Sequence, residues 1–154
     1  MKSLNQNKII SILGFIALLL LVFFRENLLL EINALLEGKE NDRSYTFWFF
    51  DFFKDFSDNK LAQWKWLISL SFTFSIAALT ILSLHYWFKN ISFIKLVLAL
   101  YLITACLITI VSLIAYSINS FNEIYPLLRR VFGIIHSPIP FFIFFLLYLS
   151  KKNN

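Results

Sequence analysis

The chain is short of the residues from which most enzymes build their sites. It has one cysteine, three glycines, three prolines and two histidines in 154 residues. A lone cysteine, Cys106, excludes an internal disulfide and says nothing about redox compartment. Three scattered glycines exclude a Gly-rich phosphate loop, and they are too few for the many turns of a membrane β-barrel. His85 and His136 stand apart from clustered carboxylates or further cysteines, so no metal site is expected. No Ser/His/Asp arrangement can be assembled, and no cofactor is implied. Acidic residues are few and confined: eight of the nine fall between residues 25 and 65.

What is abundant is apolar. Hydrophobic residues make up 59% of the chain, charged residues only 15%, and there are nineteen phenylalanines. A soluble core of this size has no use for so much apolar surface. The composition reads as an all-α membrane protein whose first partner is the lipid bilayer. The formal charge of +5 raises nucleic acid as a partner, but the basic residues flank apolar runs and do not line one face. They read as topology signals, and no nucleic-acid partner is expected.

Four spans follow, at about 9–24, 66–88, 96–118 and 125–149, in a single domain covering 1–154. Residues 9–24 after Lys8 imitate a signal peptide. Phe23-Phe24-Arg25-Glu26 offers no small-residue cleavage site, so the stretch reads as an uncleaved first span. Trp64 and Trp66 at one end of the second span, with Tyr86 and Trp87 at the other, resemble two aromatic belts. The short connections 89–95 and 119–122 make spans two, three and four antiparallel neighbours. Thr104, Thr109, Ser112 and Ser117, with Ala105 and Ala115, suggest close helix packing for the third span.

Residues 25–65 form the one sizeable polar region, an amphipathic external loop. Within it, 27–36 places Leu28, Leu29, Ile32, Leu35 and Leu36 at helical spacing. Residues 45–56 crowd aromatics around Asp51, Lys54 and Asp55, which fits an interfacial or re-entrant helix. Ser57-Asp58-Asn59 reads as a stop followed by an N-cap. With both termini inside, Lys2, Lys8, Lys89, Lys95, Lys151 and Lys152 face the cytoplasm with no acidic residue among them. The expected location is a cell inner membrane, crossed several times. Five or six crossings result if 45–56 dips fully into the bilayer, and three if the first span is cleaved.

Arg129-Arg130 is the sharpest polar feature, inside a span opened by Tyr125-Pro126. Adjacent helical residues diverge by about 100°, so one arginine can face the bundle while the other reaches headgroups. Glu123, Glu26, Asp51 and Asp55 are candidate carboxylate partners, and lipid phosphate is an alternative ligand. His136 lies roughly 9–10 Å of helix below the pair. Beside Ser137, Pro138 and Pro140 it marks a kink, and it is expected to be neutral and hydrogen-bonded. The candidate contact residues are Arg129, Arg130, Glu123, His136, Arg25, Glu26, Asp51 and Asp55. No residue is assigned a catalytic role.

The order Cys106, Arg129/Arg130, His136 matches the order of catalytic residues in exosortases, where a thiolate beside arginine and histidine acts as nucleophile. Here no Ser-Gly follows the cysteine, which is mid-span, and arginine and histidine share one helix. The chain is more similar to the small exosortase-associated membrane proteins of the Bacteroidetes. The resemblance is carried by Arg25-Glu26 after the first span, the aromatic 45–53, Tyr125, Leu128-Arg129-Arg130 and Pro138. It implies a non-enzymatic companion of an exosortase of the F or X type in protein sorting. The expected function is therefore a non-catalytic accessory protein bound to a larger membrane protein. The alternatives are a small membrane enzyme or transporter using Cys106, Arg129, Arg130 and His136, or an immunity-type membrane protein. The sequence does not state an oligomeric state.

Overall fold

The computed structural model describes residues 2–38, 51–118 and 121–153, and the described residues contain helices but no strands. In order they are α1 (Lys2–Leu36), α2 (Asp51–Lys54), α3 (Asp58–Phe88), α4 (Ile91–Ser117), α5 (Phe121–Ile135) and α6 (Ile139–Asn153). Three of them are long and apolar enough to cross a membrane: Gln6–Leu36, Asp58–Phe88 and Ile91–Ala115.

The helix ends follow local chemistry. Gly38, at φ 63°, closes α1, where its N–H reaches Leu35 O at 3.2 Å. Glycine enters that left-handed conformation without a Cβ penalty. At the end of α3 the same conformation falls to Lys89 (φ 52°), whose N–H reaches His85 O at 2.8 Å. Asn90 then caps α4 by accepting the Phe93 N–H on Oδ1 at 3.1 Å. Ser57 is the N-cap of α3 through its backbone, since its carbonyl accepts from Leu61 N and its side chain makes no cap bond.

Helices α1 and α3 run antiparallel and form the centre of the molecule. Ser11 Oγ donates to Ser83 O at 2.6 Å, and Phe24 meets Phe72 further along at 6.0 Å between ring centroids. Between these points Leu18, Ile76 and Thr80 are fully buried, as is Leu84 just beyond Ser83. The backbones approach closely because Gly14 has no side chain. A Cβ placed there would lie 2.5 Å from Ser83 Oγ. Small residues at this spacing let helices in lipid gain dispersion contacts that no hydrophobic effect would supply.

Helix α6 packs into the groove between α1, α3 and α4 through an aromatic seam. Phe141 meets Phe15 at 4.6 Å, Tyr148 stacks on Phe88 at 3.8 Å and meets Phe93 at 4.9 Å, and Phe144 meets Tyr101 at 5.9 Å. These pairings bring the start of α1, the end of α3, the start of α4 and the end of α6 to one end of the bundle. Lys8, Lys89, Lys95 and Lys151 gather there, with Lys8 Nζ 5.7 Å from the Trp87 ring centre. Leu28, Ile32, Phe53 and Leu61 close the core at the opposite, acidic end.

Several sequence expectations need correction. The first helix does not stop at residue 24. It continues through Arg25, Glu26 and the leucine-rich 27–36, because that stretch keeps the helical apolar spacing and contains no glycine or proline. The helix therefore runs to Leu36, with a turn at Gly38, and does not end near residue 25. The second long helix likewise begins at Asp58, ahead of the expected 66. The stretch 125–149 is two helices. They are parted at 136–138, where Pro138 removes a backbone donor and Ser137 takes over local bonding. The third span is peripheral, not interior: Leu98, Leu102, Ile103, Leu107 and Leu113 are all exposed on α4. Its Thr104, Thr109 and Ser117 hydroxyls bond to carbonyls four residues earlier on their own helix, so they need no neighbouring helix. Of the aromatic stretch, residues 45–50 lie outside the described residues. The remainder folds onto the start of α3, with Phe52, Phe53 and Phe56 all within 6.5 Å of the Trp64 ring centre.

Candidate functional site

The buried ionisable groups lie toward the acidic end of the α1–α3 pair. Arg25 is 8% exposed, Glu31 5% and His136 4%, which sets them apart from the solvent-facing charges elsewhere. Measured from Lys8, Arg25 lies about 25 Å along α1 at 1.5 Å per residue. Thr73 lies roughly 22 Å from Phe88 along α3 by the same rise. Both distances fall inside a hydrocarbon layer about 30 Å thick.

Arg25 is held by its own helix. Its Nη1 donates to Glu26 Oε1 at 2.8 Å, and the glutamate side chain is 59% exposed while that of Arg25 is 10% exposed. Asn27 Nδ2 donates to Phe23 O at 2.8 Å, an intrahelical bond that disposes of a second polar group without a neighbour. The Arg25 Nε is buried without a hydrogen-bond partner.

His136 is positioned by the break between α5 and α6. Its N–H closes the last turn of α5 onto Phe132 O at 2.9 Å, and its ring stacks on Phe132 at 5.8 Å and 14°. Ser137 Oγ donates to Ile134 O at 2.7 Å and accepts from Ile139 N at 3.2 Å, so one hydroxyl ends α5 and starts α6. The imidazole Nε2 lies 2.5 Å from Thr73 Oγ1 on α3. Thr73 Oγ1 also donates to Ser69 O at 2.8 Å. A threonine hydroxyl has one proton, and here it is already given to the carbonyl. Nε2 must therefore carry the hydrogen of a neutral ring and donate it to Thr73. Nδ1 is left as a bare acceptor, and it has no partner.

Phe24 of α1 packs on Phe72 of α3. Their chain neighbours Arg25 and Thr73 then lie near one level of the α1–α3 pair. The sequence placed Arg25 at a boundary and His136 beneath Arg129-Arg130. The structure instead places His136 against Thr73 of α3 and pairs Arg25 with Glu26 on its own helix. Nothing in the sequence marked Thr73, which sits among Ser69 and Ser71 in a helix rich in hydroxyls.

The other candidates lie apart from this centre. Glu123 and Arg130 are exposed on α5, and among the described residues no ion pair joins Arg130 to Glu123, Glu26, Asp51 or Asp55. The Arg129 backbone belongs to α5, and its side chain lies outside the described residues. Asp51 pairs with Lys54 at 2.5 Å on α2, and that hydrogen bond, helped by the aspartate charge, holds the Lys54 ammonium above the usual lysine range. Asp55 is exposed nearby. Cys106 is exposed on α4. No group of three or more metal-ligating side chains occurs among the described residues.

No protein-family model, curated protein or solved structure matches this chain.

Proposed function

We propose that the protein is a non-catalytic, multi-pass inner-membrane component that docks onto a larger membrane protein. In this reading the α1, α3 and α4 helices cross the bilayer, and α5 with α6 makes a broken fourth crossing. The basic end of the bundle, with both termini, faces the cytoplasm. The clustering of Lys8, Lys89, Lys95 and Lys151 at one end supports that orientation.

The observation that carries the non-catalytic reading is the separation of the reactive groups. Cys106 is exposed on the outer face of α4, whereas His136 is buried against α3 with its Nε2 engaged by Thr73. A nucleophile needs its base within hydrogen-bond reach. A thiol facing lipid and an imidazole closed between helices are not such a pair.

The contact surface is the acidic end. Phe52 is 60% exposed and Trp66 73%, beside the exposed Asp51, Asp55 and Asp58. Exposed aromatics rimmed by charge are the usual makings of an interface. The resemblance carried by Arg25-Glu26 and Leu128-Arg129-Arg130 makes an exosortase of the protein-sorting type the partner we favour. Affinity purification at native expression tests the reading. One larger membrane protein should copurify, and it should be lost when Asp51, Asp55 and Arg130 are reversed in charge. Recovery of the chain alone from gently solubilised membranes would overturn it.

A further inference from the structure

We propose that the seam between α1 and α6 is a binding site for an acidic phospholipid, with the Lys8 ammonium taking the phosphate and the side chains deeper along the seam taking an acyl chain. The site rests on the membrane reading given above, but not on a protein partner or on which leaflet the basic rim faces.

The head of the site is built around one contact. Lys8 Nζ lies 5.7 Å from the centre of the Trp87 ring, so the start of α1 is tied to the end of α3. A cation at this distance from an indole ring is held electrostatically. The ammonium carries three hydrogens, and Lys8 is exposed, so it is open to an oxygen from outside the chain. Lys89 follows Trp87 by two positions, where α3 ends, and is exposed as well. It adds a second positive charge at the same level.

Charge selects an acidic lipid. The chain has no aspartate or glutamate before Glu26 or between residues 59 and 122. Glu26 stands about 27 Å from Lys8 along α1. The helix ends supply no counter-charge. Helices α1 and α4 begin at this rim while α3 and α6 finish there, so their end charges of opposite sign offset. The lysines are therefore left for an anion from elsewhere. A zwitterionic headgroup brings its phosphate with a cation attached, and that cation is repelled here. A phosphatidylglycerol headgroup brings the phosphate alone.

Apolar surface continues the site toward the bilayer centre. Trp87 meets Phe145 of α6 at 5.5 Å, and one turn deeper on α6 Phe142 meets Phe15 of α1 at 5.4 Å. Ile12 and Phe15 lie four and seven residues on from Lys8 and share its face of α1. Ile12 is 49% exposed and Phe142 50%, so an acyl chain hung from a phosphate at Lys8 has both to lie against. A soluble phosphate or an acidic peptide gains nothing from that track, which makes the lipid the occupant.

The test uses the full chain carrying Trp48→Phe, Trp64→Phe and Trp66→Phe, which leaves Trp87 as the single indole, in phosphatidylcholine nanodiscs. Phosphatidylglycerol brominated in the upper part of its acyl chains is titrated in, with phosphatidylcholine brominated in the same way as the reference. Quenching of Trp87 should saturate at a mole fraction of the acidic lipid lower by about fivefold or more, the effect of one lysine near an anionic headgroup. Lys8→Gln should remove most of that preference and Lys8→Arg should keep it. Lys95→Gln should leave it unchanged, because exposed Lys95 lies on the side of α4 away from the buried Phe93 and Val97. With all four tryptophans in place, mass spectrometry of gently released protein should show one retained phosphatidylglycerol, lost in Lys8→Gln. Equal quenching by the two lipids would overturn the proposal and leave the membrane reading standing. So would a preference that survives Lys8→Gln, or one that falls as far with Lys95→Gln. Displacement of the acidic lipid by inorganic phosphate or by a polyglutamate peptide would overturn it too. If neither brominated lipid reached Trp87, the membrane reading would fall with it.

Discussion

Thr73 and His136, 63 residues apart in the chain, share a hydrogen bond of 2.5 Å whose direction is set by a third group. The threonine proton belongs to Ser69 O, so the histidine is the donor. This bond ties the α5–α6 break to the middle of α3. Thr73→Val keeps the shape and removes the acceptor, leaving a buried N–H unpaired. A loss of about 1–3 kcal/mol is expected. Thr73→Ser should restore most of it, as read by thermal denaturation in detergent.

The α1–α3 contact makes a prediction by subtraction. Gly14→Ala puts a Cβ 2.5 Å from Oγ of the buried Ser83. Overpacking of this kind costs about 1–3 kcal/mol. Ser83→Ala alone should be near neutral, since the Ser83 hydroxyl is buried without a partner and Ser11 bonds only to the Ser83 carbonyl. The double variant should recover the loss of Gly14→Ala. A double-mutant cycle in unfolding free energy measures the coupling, and simple additivity of the two changes would contradict the packing described.

Ser137 serves two helix ends with one hydroxyl. Ser137→Ala strips the extra bond from Ile134 O and the cap from Ile139 N. About 1–2 kcal/mol of stability should be lost. Hydrogen exchange should rise first at the start of α6 and leave the α1–α3 centre protected.

Cys106 separates the enzyme reading from the binding reading. It lies on the exposed face of α4, and Cys106→Ser should change stability by less than about 0.5 kcal/mol. Partner copurification should be unchanged as well. Loss of a cellular function on this substitution, with the protein still folded, would restore the catalytic alternative.

Much of the fold was legible because lipid imposes simple rules. Long apolar runs became helices, and the Lys89-Asn90 turn fell where the polarity changed. The boundaries were harder. Arg25 looked like a terminus because a charge ends a hydropathy run, yet helical geometry continues through it when the next ten residues keep an apolar stripe. The Ser137-Pro138 kink was readable from proline chemistry, and Ser137 satisfies Ile134 O as that chemistry requires. What no one-dimensional pattern displays is registry between helices. Gly14 against Ser83 and Phe24 against Phe72 both follow from how α1 slides along α3, and single residues do not announce that offset.

The break at 136–138 also bears on how the chain enters a membrane. On the proposed multi-pass reading, α1, α3 and α4 would enter first, each long and apolar enough to cross a membrane. The apolar stretch of α6, Ile139–Lys151, is too short to be recognised in that manner. It would therefore settle last, into a slot its predecessors had already shaped, and nascent chains halted before residue 139 should be threaded stably without it.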